Sequence, residues 1–437
     1  MAWLTLDQEI HHKVGLSVDG ANIEPAACEG VGDIYMEKVW WLFVYDVQKQ
    51  SGLEKVPDYI VFPQGTICDF RWNPNSQYWI RKNEGVIYLE KNGKFLCPIE
   101  FVERPAYYDK KTSSGTLMKT VGTMRGKHGL VSCTPLFCSN WNDAKQCKFC
   151  NMNTGMDIVE NKAVSSKSAD EVGEVAAAMQ AEGIDFHLVT SAGQPPGGKS
   201  TVGEHVKLLE AIKRHTGLEK IPGTENLSPP DNLDELETLA ATGIQNVFMN
   251  LEVWNEDLFK YLCPGKVKRY GRQHYIDALV RSVKYFGRGS SWSGMVAGLE
   301  DKKSLLEGVK IMGDQGVAML MQPWVPMVAS DFEGHRSPEA AWHVDLQNKV
   351  LDIYEDCLPE VSSENAYWTQ FGCGACLSSI GFHFDMLRLR HNIDSACPKP
   401  HGPKGRYRDE KKGLLAAKPK ELDRFKTGKS QAIIAYR

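Results

Sequence analysis

With 437 residues, the chain is too long for one minimal core and suits one large domain with appendages or two to three smaller ones. Its hydrophobic share of 42% and charged share of 24% are those of an ordinary globular protein, which excludes a low-complexity or fibrous chain. The net charge of −4 argues against a nucleic-acid partner, and no apolar run is long enough to span a membrane.

The opening stretch MAWLTLDQEIHHKVG has no basic segment followed by an apolar run, so no signal peptide is expected. That makes the cytoplasm the expected compartment and the thiol the expected state of the 12 cysteines. Residues 1–127 are rich in tryptophan and tyrosine and read as a separate α+β module. Within it KVWWLFVYDVQKQSG looks helical, and VWWLFVYDV is too short for a bilayer. GVIYLEKNGKFLCPIEFV reads as a hairpin turning at Asn92-Gly93.

From 128 to 357 one grammar repeats: a helix pattern, a glycine, then a short β-branched or apolar run. KHGLVSCTPLF supplies a first strand. Ser168 and Glu171 form a capping box that opens the first helix, which stops at Gly183 before the strand IDFHLVT. Helices ending at Gly217, Gly243, Gly287 and Gly316 follow, each ahead of a strand: the weaker LEKIPGTE, then IQNVFMNLE, SSWSGMVAG and VAMLMQPWV. SPEAAWHVDLQNKVLDIYEDC is a last long helix. Strands alternating with single helices imply right-handed βαβ units, so the fold class is α/β with a partial (βα)6 parallel barrel. Ligands of such sheets sit at the carboxyl ends of the strands.

That rule places Cys138, Cys147 and Cys150 at the functional mouth, just past the first strand. Cys28, Cys68, Cys97, Cys133, Cys263 and Cys357 are isolated and read as small buried side chains. The C-x8-C-x2-C stretch has no fourth Cys or His within a dozen residues downstream, which favours an iron–sulfur cluster with one open iron over closed zinc. Cys373, Cys376 and Cys397 form a second group in residues 358–401. An auxiliary Fe–S cluster, a zinc site completed by His383, His391 or His401, and plain thiols are all open readings for it. Residues 402–437 look like a basic tail.

With its aromatic Phe149 before the last cysteine, the first loop resembles the radical S-adenosylmethionine (SAM) superfamily, which includes biotin synthase, hydrogenase maturases and tyrosine lyases. The usual first gap in that family is three residues rather than the eight found here. Over about 130–330 the resemblance implies further roles. Cys138, Cys147 and Cys150 would hold a 4Fe-4S cluster. Ser191, Ala192 and Gly193 would meet the methionine amine, where small residues let backbone approach a ligand. Glu252 would hold ribose hydroxyls or the amine, and Arg272 the carboxylate as a bidentate fork. Gly294, Val296 and Gly298 would line the adenine, with Asp301 at the segment's acidic position. Gln322 and Trp324 would face the substrate.

The resemblance therefore implies an enzyme that reductively cleaves SAM to a 5′-deoxyadenosyl radical. That radical would abstract hydrogen from a small-molecule substrate, under anaerobic or protected conditions, with ferredoxin or flavodoxin as reductant. An electron-transfer or cluster-carrier protein is the alternative. It has no use for the strand-end clamp of Glu252 and Arg272. A zinc hydrolase ranks last, because His187 lies within its strand rather than at the strand's end.

Overall fold

The computed structural model describes residues 3–38, 56–132, 138–141, 144–151, 167–190, 200–327, 329–364, 366 and 381–393. All but the first residue of the expected helix over 38–52, the small-residue segment 191–193, the cysteines Cys133, Cys373, Cys376 and Cys397, and the tail lie outside them.

The N-terminal helix Leu6–Asp19 is followed by short strands β1 (Asn22–Ile23), β2 (Tyr59–Val61), β3 (Ile67–Asp69), β4 (Tyr78–Asn83), β5 (Val86–Lys91), β6 (Lys94–Pro98) and β7 (Glu100–Phe101). They form two small sheets, β1-β4-β5-β6 and β3-β2-β7. The β5–β6 hairpin turns where expected: Asn92 and Gly93 both have positive φ, at 51° and 74°, the pairing that matches strand twist. Ile60, Phe62, Cys68, Ile80, Leu89 and Cys97 make a core of their own, while Ile10, Val14 and Val18 pack into the larger core behind it.

A third sheet holds seven strands in the order β14-β13-β12-β11-β10-β9-β8. β9 (Gly129–Val131), β10 (His187–Val189), β11 (Ile221–Asn226), β12 (Ile244–Phe248), β13 (Ser291–Ala297) and β14 (Val317–Pro323) are parallel and in chain order, as βα repeats require. All six expected strands are present, and the two edges of the sheet do not pair, so the barrel is partial. β8 (Thr123–Arg125) adds an antiparallel edge to β9 that the sequence did not announce. β13 and β14 are buried along most of their length, as expected of parallel strands covered on both faces.

Local signals explain the punctuation. Ser168 and Glu171 cap the helix Ala169–Ala181 reciprocally, and Gly217 closes Val202–Thr216 at φ 73°. The weak third strand carries Gly223 at φ 138°, where a Cβ would lie 2.2 Å from the Leu188 carbonyl oxygen. The β11–β12 register shifts between Ile221 and Thr224, so this glycine permits a bulge at a close backbone approach.

Helix His383–Arg390 returns to the N-terminal helix through Lys13 and Asp385, 2.5 Å apart and each 1% exposed. This ion pair joins residues 372 positions apart, and burial raises the Asp385 pKa against the pull of Lys13. Among the described residues no helix is long and apolar enough to cross a membrane.

Candidate active site

The three-cysteine loop is held by its own turns and by a neighbour. The Trp141 amide donates to the Cys138 carbonyl, and the Cys150 amide to the Cys147 carbonyl at 3.0 Å. Phe149 is buried and anchors the loop, while Cys147 and Cys150 lie half-buried against the same core. Two backbone bonds of 2.9 Å staple the loop to the junction of helices Glu256–Leu262 and Pro264–Arg269: Lys148 N–H to the Leu262 carbonyl, and Gly265 N–H to the Lys145 carbonyl. Only glycine fits at 265, because a Cβ there would sit 2.3 Å from Asn140 Cγ and 2.5 Å from the Lys145 oxygen. Lys148 Nζ fixes the outer edge through Asp331 at 2.7 Å.

That junction brings Cys263, fully buried, opposite Cys147, between the two backbone staples. The neighbouring Cys263 thiol outweighs burial and, with the Lys266 ammonium, holds the Cys147 thiol below its ordinary range. Burial pushes Cys263 the other way, well above its range. Cys68 and Cys97 are fully buried as expected, and Cys28 and Cys357 are half-buried. Among the described residues no three Cys, His, Asp or Glu side chains converge as a metal-ion site.

Beside the loop, β12 continues past its end into an irregular strand end. Glu252 has φ 75°, a region costly for a residue with a Cβ. It is kept there by bonds on both sides, its amide to the Gly294 carbonyl at 3.0 Å and its carbonyl from the Val296 amide at 2.7 Å. The Glu252 carboxylate accepts from Lys266 Nζ at 2.7 Å, and the same ammonium reaches the Asn250 carbonyl at 2.6 Å. Burial opposes the charge of Lys266, but Glu252, Tyr275 and the two thiols outweigh it and hold the ammonium well above its ordinary range. Gly294 donates its amide to Asn250 Oδ1 at 3.0 Å, and a Cβ there would crowd that oxygen to 2.9 Å. Val296 is half-buried and paired with Gln322, and Gly298 turns away at φ 111° under Pro338.

Glu252 is thus paired with Lys266 rather than Arg272. Arg272 stacks 4.2 Å over the Trp254 ring and donates Nε to the Trp254 carbonyl at 2.9 Å. Glu300 takes a structural role next door, accepting from the Trp254 and Asn255 amides at 2.6 and 2.9 Å and from the Ser304 hydroxyl. Asp301 is the N-cap of helix Lys302–Asp314, accepting from the Ser304 amide. A Glu300→Ala variant leaves those buried amides unmet and is expected to cost about 1–3 kcal/mol in urea unfolding.

At the second strand, Thr190 donates to Glu225 at 2.8 Å and accepts from the Asn226 amide at 2.7 Å, while His205 shares the same Glu225 oxygen. This network anchors the chain just before Ser191, Ala192 and Gly193. At the sixth strand the Trp324 indole is buried edge-on to Phe332, and among the described residues its N–H has no hydrogen-bond acceptor. His187 pairs with His128 at the amino ends of β10 and β9, away from the mouth. Lys266, Glu225 and His205 escaped the sequence reading, and Cys263, read there as a small buried side chain, is buried but also faces the loop. A Cys and a Lys three residues apart at a helix junction carry no spacing signal of their own.

No family model matches the chain. It is similar to the bacteriochlorophyllide c C-7(1)-hydroxylase of Chlorobaculum limnaeum, 31% identical over 233 residues, and the match spans 50% of this chain and 57% of that protein. Solved structures are more distant. Methylornithine synthase PylB has a TM-score of 0.41 at 14% identity, covering 74% of this chain and 90% of its own. HydG, a maturase of FeFe-hydrogenase, has a TM-score of 0.38 at 15% identity, covering 53% and 49%. OxsB, a cobalamin-dependent S-adenosylmethionine radical enzyme, has a TM-score of 0.31 at 15% identity, covering 61% and 37%. The chain spans less than two thirds of the length of the hydroxylase it matches.

Proposed function

We propose that this chain is a radical SAM enzyme in which Cys138, Cys147 and Cys150 hold a 4Fe-4S cluster at the mouth of the partial barrel. The observation that carries this reading is the stapling of the three-cysteine loop beside the Glu252–Lys266 strand end. The donors suit the group in kind: three thiols in one loop, one of them held toward thiolate next to an ammonium. Bound there, the cluster would supply the electron that cleaves SAM and so generates the hydrogen-abstracting radical.

The chain's own residues divide the remaining work. Lys266 balances the thiolates and Glu252 together. Glu252 and Asn250 present oxygen acceptors at the strand end, suited to a ligand amine or hydroxyls. Gly294, Val296 and Gly298 along β13 would line a flat base, and Ser191, Ala192 and Gly193 would meet the amino-acid end. Arg272, stacked on Trp254, keeps its guanidinium for a carboxylate. Gln322 and Trp324 would face the substrate, and burial of the mouth under the N-terminal residues would exclude water. The division into residues 1–127, 128–357, 358–401 and 402–437, an auxiliary cluster on Cys373, Cys376 and Cys397, and a ferredoxin or flavodoxin reductant belong to the same proposal.

The substrate is proposed as a small molecule, and a chlorophyllide-type tetrapyrrole is the first class to test, given the relative's name. The experiment is anaerobic reconstitution with iron and sulfide, addition of dithionite and SAM, and quantification of 5′-deoxyadenosine. The native chain is expected to form it and Cys150→Ala to form none. An iron-loaded native chain that forms none would favour the carrier reading.

A further inference from the structure

Cys263 is a buried thiol set opposite Cys147, a residue with its own proposed use. The backbone staples, Lys148 N–H to the Leu262 carbonyl and Gly265 N–H to the Lys145 carbonyl, hold the two segments in a register that sets Cys147 opposite Cys263. Cys147 is half-buried, whereas Cys263 lies fully beneath the surface. One thiol can thus meet a small solute while the other waits behind it. This is the arrangement of an attacking and a resolving cysteine. Cysteines set opposite one another across two bonded segments are placed for a disulfide to close between them.

We propose that Cys147 and Cys263 are a reversible redox pair, closed to an intramolecular disulfide by low-molecular-weight disulfides and reopened by thiols. The Cys147 sulfur attacks one sulfur of glutathione disulfide, releasing one glutathione and leaving a mixed disulfide on Cys147. The Cys263 sulfur then attacks Cys147 Sγ, gives up its proton, and releases the second glutathione. Two protein thiols are oxidised, and one glutathione disulfide is reduced to two glutathiones. Closure takes Cys147 out of the three-cysteine loop, so the oxidised chain cannot load metal there. The effect on metal loading rests on the proposed function; the pairing itself does not.

Trypsin separates the relevant thiols, since Cys147 falls in peptide 146–148, Cys150 in 149–162 and Cys263 in 261–266. The full chain, not reconstituted, is equilibrated in glutathione buffers of rising oxidised fraction, trapped with iodoacetamide, digested and mapped by mass spectrometry. A cross-link between 146–148 and 261–266 is expected, vanishing on dithiothreitol treatment. Cys263→Ser is expected to accumulate the glutathione adduct on Cys147 instead. No cross-link at any ratio, or one joining only 146–148 to 149–162, overturns the pairing, whether or not the variant folds. The oxidised chain is further expected to take up at least about tenfold less iron than the same chain after dithiothreitol, since even an outer partner of a metal ligand is worth that much. Equal uptake overturns the loading claim. A cross-link in a chain that binds no iron in either state retains the redox pair and removes the radical-enzyme reading.

Discussion

Replacing Lys266 with methionine is expected to cut iron retention by roughly 10–100-fold and to lower stability by about 3 kcal/mol. The ammonium holds Glu252 at 2.7 Å and the Asn250 carbonyl at 2.6 Å, with the two side chains only 12% and 16% exposed. Methionine fills a similar volume but leaves a shielded carboxylate without its cation. It also withdraws the charge that helps hold Cys147 toward thiolate, the form in which sulfur binds metal. The two effects separate in a double variant. Lys266→Met with Glu252→Gln removes both charges, so stability is expected to return toward native while iron retention stays low. Urea unfolding and iron per chain after reconstitution and gel filtration measure the two. If Lys266→Met loses stability but keeps its iron, Lys266 is a structural partner of Glu252 alone.

The six parallel strands were legible because each announces itself locally, by an apolar run and by a glycine that ends the helix before it. The faintest of them, β11, is faint for a physical reason. Gly223 interrupts its apolar pattern because the Leu188 backbone leaves no room for a Cβ. β8 has three residues, too few for any period to register. Cys138, Cys147 and Cys150 could be singled out in the sequence because one loop carries them. The site around them was opaque where packing assembles it. Lys266 and Cys263 arrive from a junction of two short helices, chosen by the fit of Gly265 against Asn140. The contacts of Arg272 have the same origin: Trp254 offers its guanidinium a ring face and a carbonyl. Lys13 and Asp385 are a stronger case, because nothing local in either segment calls for a buried charge.

Glu9 lies beside that buried pair, and its titration is expected to dominate the pH dependence of stability. Its side chain is fully buried. One carboxylate oxygen accepts from the Gln64 amide at 2.6 Å, and the other has no hydrogen-bond partner among the described residues. Burial raises its pKa to about 8, against the opposing pull of the Gln64 amide, Thr66 and the Arg388 charge. The folded chain therefore keeps a proton that the unfolded chain releases near the ordinary value of 4.5. Folding is favoured by this group below that value, loses ground as pH rises, and has lost the whole contribution above about pH 8. The gap corresponds to about 5 kcal/mol at most, at 1.36 kcal/mol per unit. Glutamine keeps the oxygen that Gln64 needs and cannot ionise. Glu9→Gln is thus expected to match the native chain near pH 5 and to exceed it increasingly up to pH 8, with a constant difference beyond. Guanidinium unfolding of both chains at intervals from pH 5 to 9 reads that difference directly, because every other titrating group is common to both. Parallel stability curves would mean that Glu9 is ionised in the folded chain, with Arg388 supplying the compensating charge.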